Sequence, residues 1–222
     1  MNNCLKQTKT FDTRRTSINK IFSLTKNIKS YVSADNNEAI GWASIFGHLD
    51  VVKYLSTLPR VDASMHDNHA IRYASAHGHL EVVKCLMGLE GVDPSADDNY
   101  AIRYASDNGH LEVVKYLSGL EGVDPSANDN WAIRRASWFG HLEVVKFLSG
   151  LEGVDPSDCE NWAICFASLK GHLEVVKYLS GLEGVDPSAM VNQAIDYASE
   201  NGHLEVVKYL SGLNKQTFEI NE

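Results

Sequence analysis

Apolar residues alternate between two kinds of cluster along most of this chain. The first is short and rich in alanine, as in Ala101, Ile102, Tyr104 and Ala105. The second is longer, as in Leu111, Val113, Val114, Leu117 and Leu120, with Tyr116 widening the stripe. Both follow the 3.6-residue period of a helix with one apolar face. The pair recurs with a fixed step of 31 residues, marked by GHLEVVK at Gly78, Gly109, Gly140, Gly171 and Gly202 and by GHLDVVK at Gly47. Each step is therefore predicted to be two short helices and a turn. Such a unit cannot bury both apolar faces alone, and stacking in an array does so.

The punctuation fits. Asn99 precedes the first helix and is expected to cap it, as are Asn37, Asn68, Asn130, Asn161 and Asn192 at the same place. Gly109 is expected to end the first helix in a left-handed conformation. Glu112 and Lys115 are spaced to pair on the wet face. Gly119 weakens the second helix, Gly122 ends it, and Asp124-Pro125-Ser126 turns the chain.

The register defines six repeats at 35–65, 66–96, 97–127, 128–158, 159–189 and 190–220, an array expected to occupy 35–213. Residues 1–15 are expected to be disordered, 16–34 to form a capping helix of a degenerate half-repeat, and 214–222 to be a tail. Terminal repeats usually turn polar outside, yet repeat six keeps Leu204, Val206, Val207, Tyr209, Leu210 and Leu213. Either the tail covers that end, or a partner or second copy does, in an otherwise monomeric protein.

Charge changes the picture only for partners. The net charge is -9, but residues 1–30 hold seven Lys/Arg against one acid, a local +6 that leaves -15 for the remainder. So acidic a body repels phosphate backbones and argues against nucleic acid as the ligand. The basic N-terminus also admits an organelle-targeting segment, the lesser alternative to a cap in a cytoplasmic protein. No run is long and apolar enough for a membrane span, so no membrane partner is expected. The four cysteines do not follow the repeat and form no CxxC pair, as expected of free thiols.

No phosphate-binding loop, nucleophile elbow or dinucleotide fingerprint is present, and no copy of the repeat is broken to make room for a catalytic site. No enzyme activity and no cofactor is expected. His66, His69 and His77 match no zinc signature, and Asp93, Asp97 and Asp98 lack the Gly and Glu of a calcium loop, so no metal is expected. The histidines of each Gly-His are read as backbone-bonding or packing residues.

These motifs resemble the ankyrin repeat. Ala101 to Ser106 stands where that family has TPLHxA, and Gly109 to Leu117 is similar to its second-helix motif. The unit is two residues shorter than usual, and Glu38, His69, Tyr100, Trp131, Trp162 and Gln193 replace the family's Thr. The dialect is similar to ankyrin arrays of giant DNA viruses. The resemblance implies an all-α solenoid with short or absent hairpin fingers, whose concave face binds a partner protein. An adaptor delivering a bound, possibly host, protein to a ubiquitin-ligase or signalling complex is the alternative.

Positions that vary among the copies are the candidates for contact. In the family, the turn residues and the pair before Gly-His line the concave face. That pair supplies Phe46, His77, Asn108, Trp138, Phe139 and Lys170. Repeats four and five add Trp131, Arg135, Trp162 and Phe166, residue types that dominate interface energetics. The hot spot is expected there, with the rings packing between repeats as the competing reading.

Overall fold

The structure is a computed structural model and describes residues 36–220 except 60, 183 and 186. The expected N-terminal segment and capping helix lie outside the described residues. Among the described residues twelve helices follow one another and no strand occurs. The first helices of the six units are α1 (Asn36–Ile45), α3 (Met65–Ala76), α5 (Ala96–Asp107), α7 (Ala127–Trp138), α9 (Asp158–Leu169) and α11 (Pro187–Glu200). The second helices are α2 (Leu49–Leu55), α4 (Leu80–Met87), α6 (Leu111–Ser118), α8 (Leu142–Leu148), α10 (Leu173–Leu179) and α12 (Leu204–Ile220). First helices pack on first helices and second on second, so the units stack in register as an α-solenoid. No described helix is long and apolar enough to cross a membrane.

Stacking buries what the periodicity marked. In repeat three, Ala101, Ile102, Ala105, Val113, Val114 and Leu117 are sealed from water, and their equivalents continue the same core on both sides. The small alanines let neighbouring first helices approach closely. The buried Ser44, Ser106 and Ser137 hydroxyls donate back to the carbonyls of Ile40, Ile102 and Ile133 within their own helices. Glu112 and Lys115 pair at 2.8 Å on the surface. The second helix closes at Ser118, sooner than expected, and Gly122 supplies the left-handed residue of the following turn (φ 83°). The last helix departs from this plan. It continues unbroken through Gly212 to Ile220, and Leu204 at its start stands 75% exposed.

Asn68, Asn99 and Asn130 do not cap their first helices. Asn99 Oδ1 accepts the backbone N–H of Asp124 at 2.8 Å, in the turn that closes the same repeat. Asn37, Asn68 and Asn130 hold Asp62, Asp93 and Asp155 in the same way, at 2.7, 2.8 and 2.9 Å. The reason is local backbone geometry. Asp97, Asp98 and Asn99 form a left-handed turn (φ 57°, 53° and 62°) ahead of the right-handed helix. Residues 66–68, 128–130 and 159–161 repeat it. Such residues cost roughly 1–2 kcal/mol each, least for Asn and Asp. Arginines grip the turn from the helix that follows: Arg103 donates to the Asp97 carbonyl and Arg134 to that of Asn128, both at 3.1 Å. The compact left-handed turn stands where a longer repeat extends a finger.

The Gly-His pair links neighbouring units. His141 Nε2 donates to the carbonyl of Asp107 at 3.0 Å, and its ring lies against Gly109 of the preceding repeat. His79, His110, His172 and His203 make the same bond at 2.9 to 3.1 Å. Burial, followed by neighbouring positive charge, lowers the pKa of His110 and His172, with the carbonyl bond opposing it. The unfolded chain therefore takes up protons first, and stability is lost as pH falls below about 6.5 toward the lowered folded values. Urea melts are expected to give a lower midpoint at pH 5 than at pH 7.5. A His172→Gln variant should show a flatter pH dependence, and equal slopes would refute the assignment.

Candidate functional site

First helices expose one stripe, set by residues four apart on each helix. Repeat by repeat it reads Trp42 and Phe46; His69, Tyr73 and His77; Tyr100, Tyr104 and Asn108; Trp131, Arg135 and Phe139; Trp162, Phe166 and Lys170. The rings touch in sequence across the repeats. His69 lies 4.3 Å from Tyr73, Tyr73 lies 5.7 Å from Tyr100, and Tyr100 stacks on Tyr104 at 3.9 Å. Tyr104 then meets Trp131 at 5.1 Å.

In repeat four the ribbon passes through a cation. Arg135 is ion-paired to Asp107 at 2.6 Å. Its guanidinium carbon lies 5.4, 5.7 and 4.8 Å from the rings of Trp131, Trp138 and Phe139. Contacts of this kind contribute about 0.5–1 kcal/mol where exposed and more where desolvated. Beyond it, Phe166 takes Trp138 and Trp162 edge-on, both at 5.0 Å, and the Lys170 ammonium sits 4.3 Å from the Trp138 ring.

The ten candidate residues divide by what they do. Trp131, Arg135, Trp138, Phe166 and Lys170 form this one cluster. Trp138 is half-buried in it, whereas Phe139 and Trp162 remain 44% and 43% exposed. Phe46 lies apart, 61% exposed and stacked on Trp42 at 6.0 Å. His77 and Asn108 use their side chains locally: His77 Nδ1 donates to the Tyr73 carbonyl at 2.8 Å and Asn108 Nδ2 to the Tyr104 carbonyl at 2.9 Å.

Comparison of the copies position by position passed over Tyr73, Tyr100, Tyr104 and Trp42. The signal was the four-residue spacing within each first helix, which places aromatic residues of two varying columns on one face. Arg72 and Arg103 support that face from behind. Arg72 pairs with Asp97 and lies 4.8 Å from the Tyr100 ring, and Arg103 lies 5.2 Å from the Trp131 ring.

Two cysteine thiols are shifted away from nucleophilic reactivity. Burial pushes the Cys165 thiol up to about 11 and raises that of Cys159, the opposite of an activated thiolate. Burial, with the Tyr73 hydrogen bond second, raises the pKa of the Tyr100 phenol, which stays protonated. His69 is lowered by burial and then by the charge of Arg72. Among the described residues no group of three or more His, Cys, Asp or Glu is placed to hold a metal ion.

Stacked helix–turn–helix units with compact turns between them define a helical-repeat solenoid. A family model described as ankyrin repeats (3 copies) matches residues 40–129 and again 131–221. The chain belongs to the ankyrin-repeat family, whose members are generally protein–protein interaction modules. No match to a curated protein was found.

Proposed function

We propose that the array is a non-enzymatic module that binds a partner protein on its concave, first-helix face, with repeats four and five as the energetic centre. The supporting observation is the cluster around Arg135, flanked by the exposed Phe139 and Trp162. Large rings beside a paired arginine are the composition of interface hot spots. Within the cluster Trp138 and Phe166 brace the exposed rings, so the competing packing role and the binding role fall to different residues.

A photo-crosslinking residue placed at 139 tests this in the full-length protein, with the same residue at 116 on a second helix as control. A partner should be labelled from 139 and not from 116. Phe139→Ala combined with Trp162→Ala should weaken its capture about tenfold or more. Equal labelling from both positions would sink the reading. Ubiquitin-ligase subunits captured alongside the partner would turn it toward an adaptor.

A further inference from the structure

Resting on that reading, we infer that the occupant of the ribbon from Tyr73 to Lys170 is a proline-rich segment in the polyproline II conformation, with an acidic residue seated against Lys170. Three features carry this.

The first is spacing. A polyproline II helix completes a turn in three residues, roughly 9 Å. Packed helices lie about 8–10 Å apart. Every third residue of the segment therefore meets an equivalent ring in the next repeat, and the rings run without a break from Tyr73 through Tyr100, Tyr104 and Trp131. Flat pyrrolidine rings pack well on such faces, and the stiff segment loses little entropy on docking.

The second is donor supply. Polyproline II backbone makes no internal hydrogen bonds, so its carbonyls seek donors. The indole N–H groups of Trp131, Trp138 and Trp162 have no acceptor among the described residues; those of Trp131 and Trp138 are not sealed from solvent, and Trp162 as a residue is 43% exposed. Two stand in repeat four and one in repeat five along the path.

The third is charge. Arg72 is paired with Asp97 and Arg135 with Asp107, while Arg103 and Arg134 hold turn carbonyls. Lys170 has only the Trp138 ring, with no carboxylate partner among the described residues. Among the described cations of the first-helix face, it is the one left for a ligand. Single-stranded nucleic acid also stacks on aromatic ladders, but the -15 of residues 31–222 opposes a polyphosphate.

All four tryptophans lie in or beside this face, so their emission reports its occupancy. The titrants are an oligoproline with glutamate at both ends, the same peptide with lysine ends, a Gly/Ser peptide with glutamate ends, and a short oligothymidylate. The glutamate-ended oligoproline should give a saturable change below roughly 1 mM, the weak end of specific recognition. Trp131→Ala should weaken it about tenfold, with its circular dichroism and melting checked against the wild type. Lys170→Glu should transfer the preference to the lysine-ended peptide. No saturation, equal binding of the Gly/Ser peptide, or tighter binding of the oligonucleotide each overturns the inference. If the oligoproline fails while crosslinks from position 139 still reach a partner, the segment chemistry is wrong and the binding face stands.

Discussion

Gly140→Ala is expected to destabilise the array by about 3 kcal/mol, although it adds a single methyl group. Two costs add. Gly140 sits at φ 77°, in the left-handed region that an L side chain resists by roughly 1–2 kcal/mol. A Cβ there would also come within 2.5 Å of His172 Nδ1 in the next repeat, inside contact distance of a ring already fixed by its bond to the Trp138 carbonyl. Overpacking of that sort typically costs about 1–3 kcal/mol. Gly202→Ala separates the two. Its φ is 76°, but none of the described residues lies within 4 Å of the new Cβ, so only the backbone cost of about 1–2 kcal/mol remains. Urea unfolding of both variants measures the difference. Equal losses would mean that the histidine contact between repeats contributes nothing. Because stability in an array is nearly a sum over neighbouring interfaces, the central variant should also broaden the transition by splitting the stack.

Asn130→Ala carries the second large effect, about 2–4 kcal/mol, from a residue that touches no ligand. Its Oδ1 accepts the Asp155 N–H at 2.9 Å and its Nδ2 donates to Asp158 Oδ2 at 2.8 Å. That second bond, ahead of the turn N–H of Cys159, holds the Asp158 carboxyl below the usual carboxylate range against the opposing effect of burial. Alanine leaves the Asp155 N–H without its partner, at about 1–3 kcal/mol, and removes a side chain suited to the left-handed turn. Asn130→Gly restores the backbone freedom alone and should recover only part of the loss. Thermal and urea melts of the two variants decide the matter. If glycine recovers everything, the closing bond to Asp155 is dispensable and the left-handed turn is the whole story.

Part of this was legible from the letters. The step between Gly-His pairs named the architecture. The apolar columns named the core: Ile102, Val113, Val114 and Leu117 are all sealed from water. The Glu112–Lys115 pair and the backbone role of the Gly-His histidines also followed from spacing. The asparagine was misjudged because Asp-Asp-Asn before an alanine-rich helix is a good capping sequence and an equally good left-handed one. The Asn99 side chain chooses a partner 25 residues away. The candidate face was legible in part. Its first candidates stood out by varying among the copies, but Tyr100 and Tyr104 joined the candidate face only once their rings were stacked against each other and against Trp131.

The sequence alone determined the repeat, its register and the inward faces of both helices, because hydrophobic periodicity is a local property that any stacked partner satisfies in the same way. The tertiary structure decided the left-handed turns, the closing bonds of Asn37, Asn68, Asn99 and Asn130, the histidine that reaches the carbonyl of the previous unit, and the course of the aromatic ribbon. The turns are local, but their left-handed sense competes with a capped helix start and is chosen by the asparagine bond to a residue 25 positions on in the same repeat. The histidine bonds and the ring contacts from Tyr73 to Tyr100 and from Tyr104 to Trp131 exist only when one repeat rests on the next.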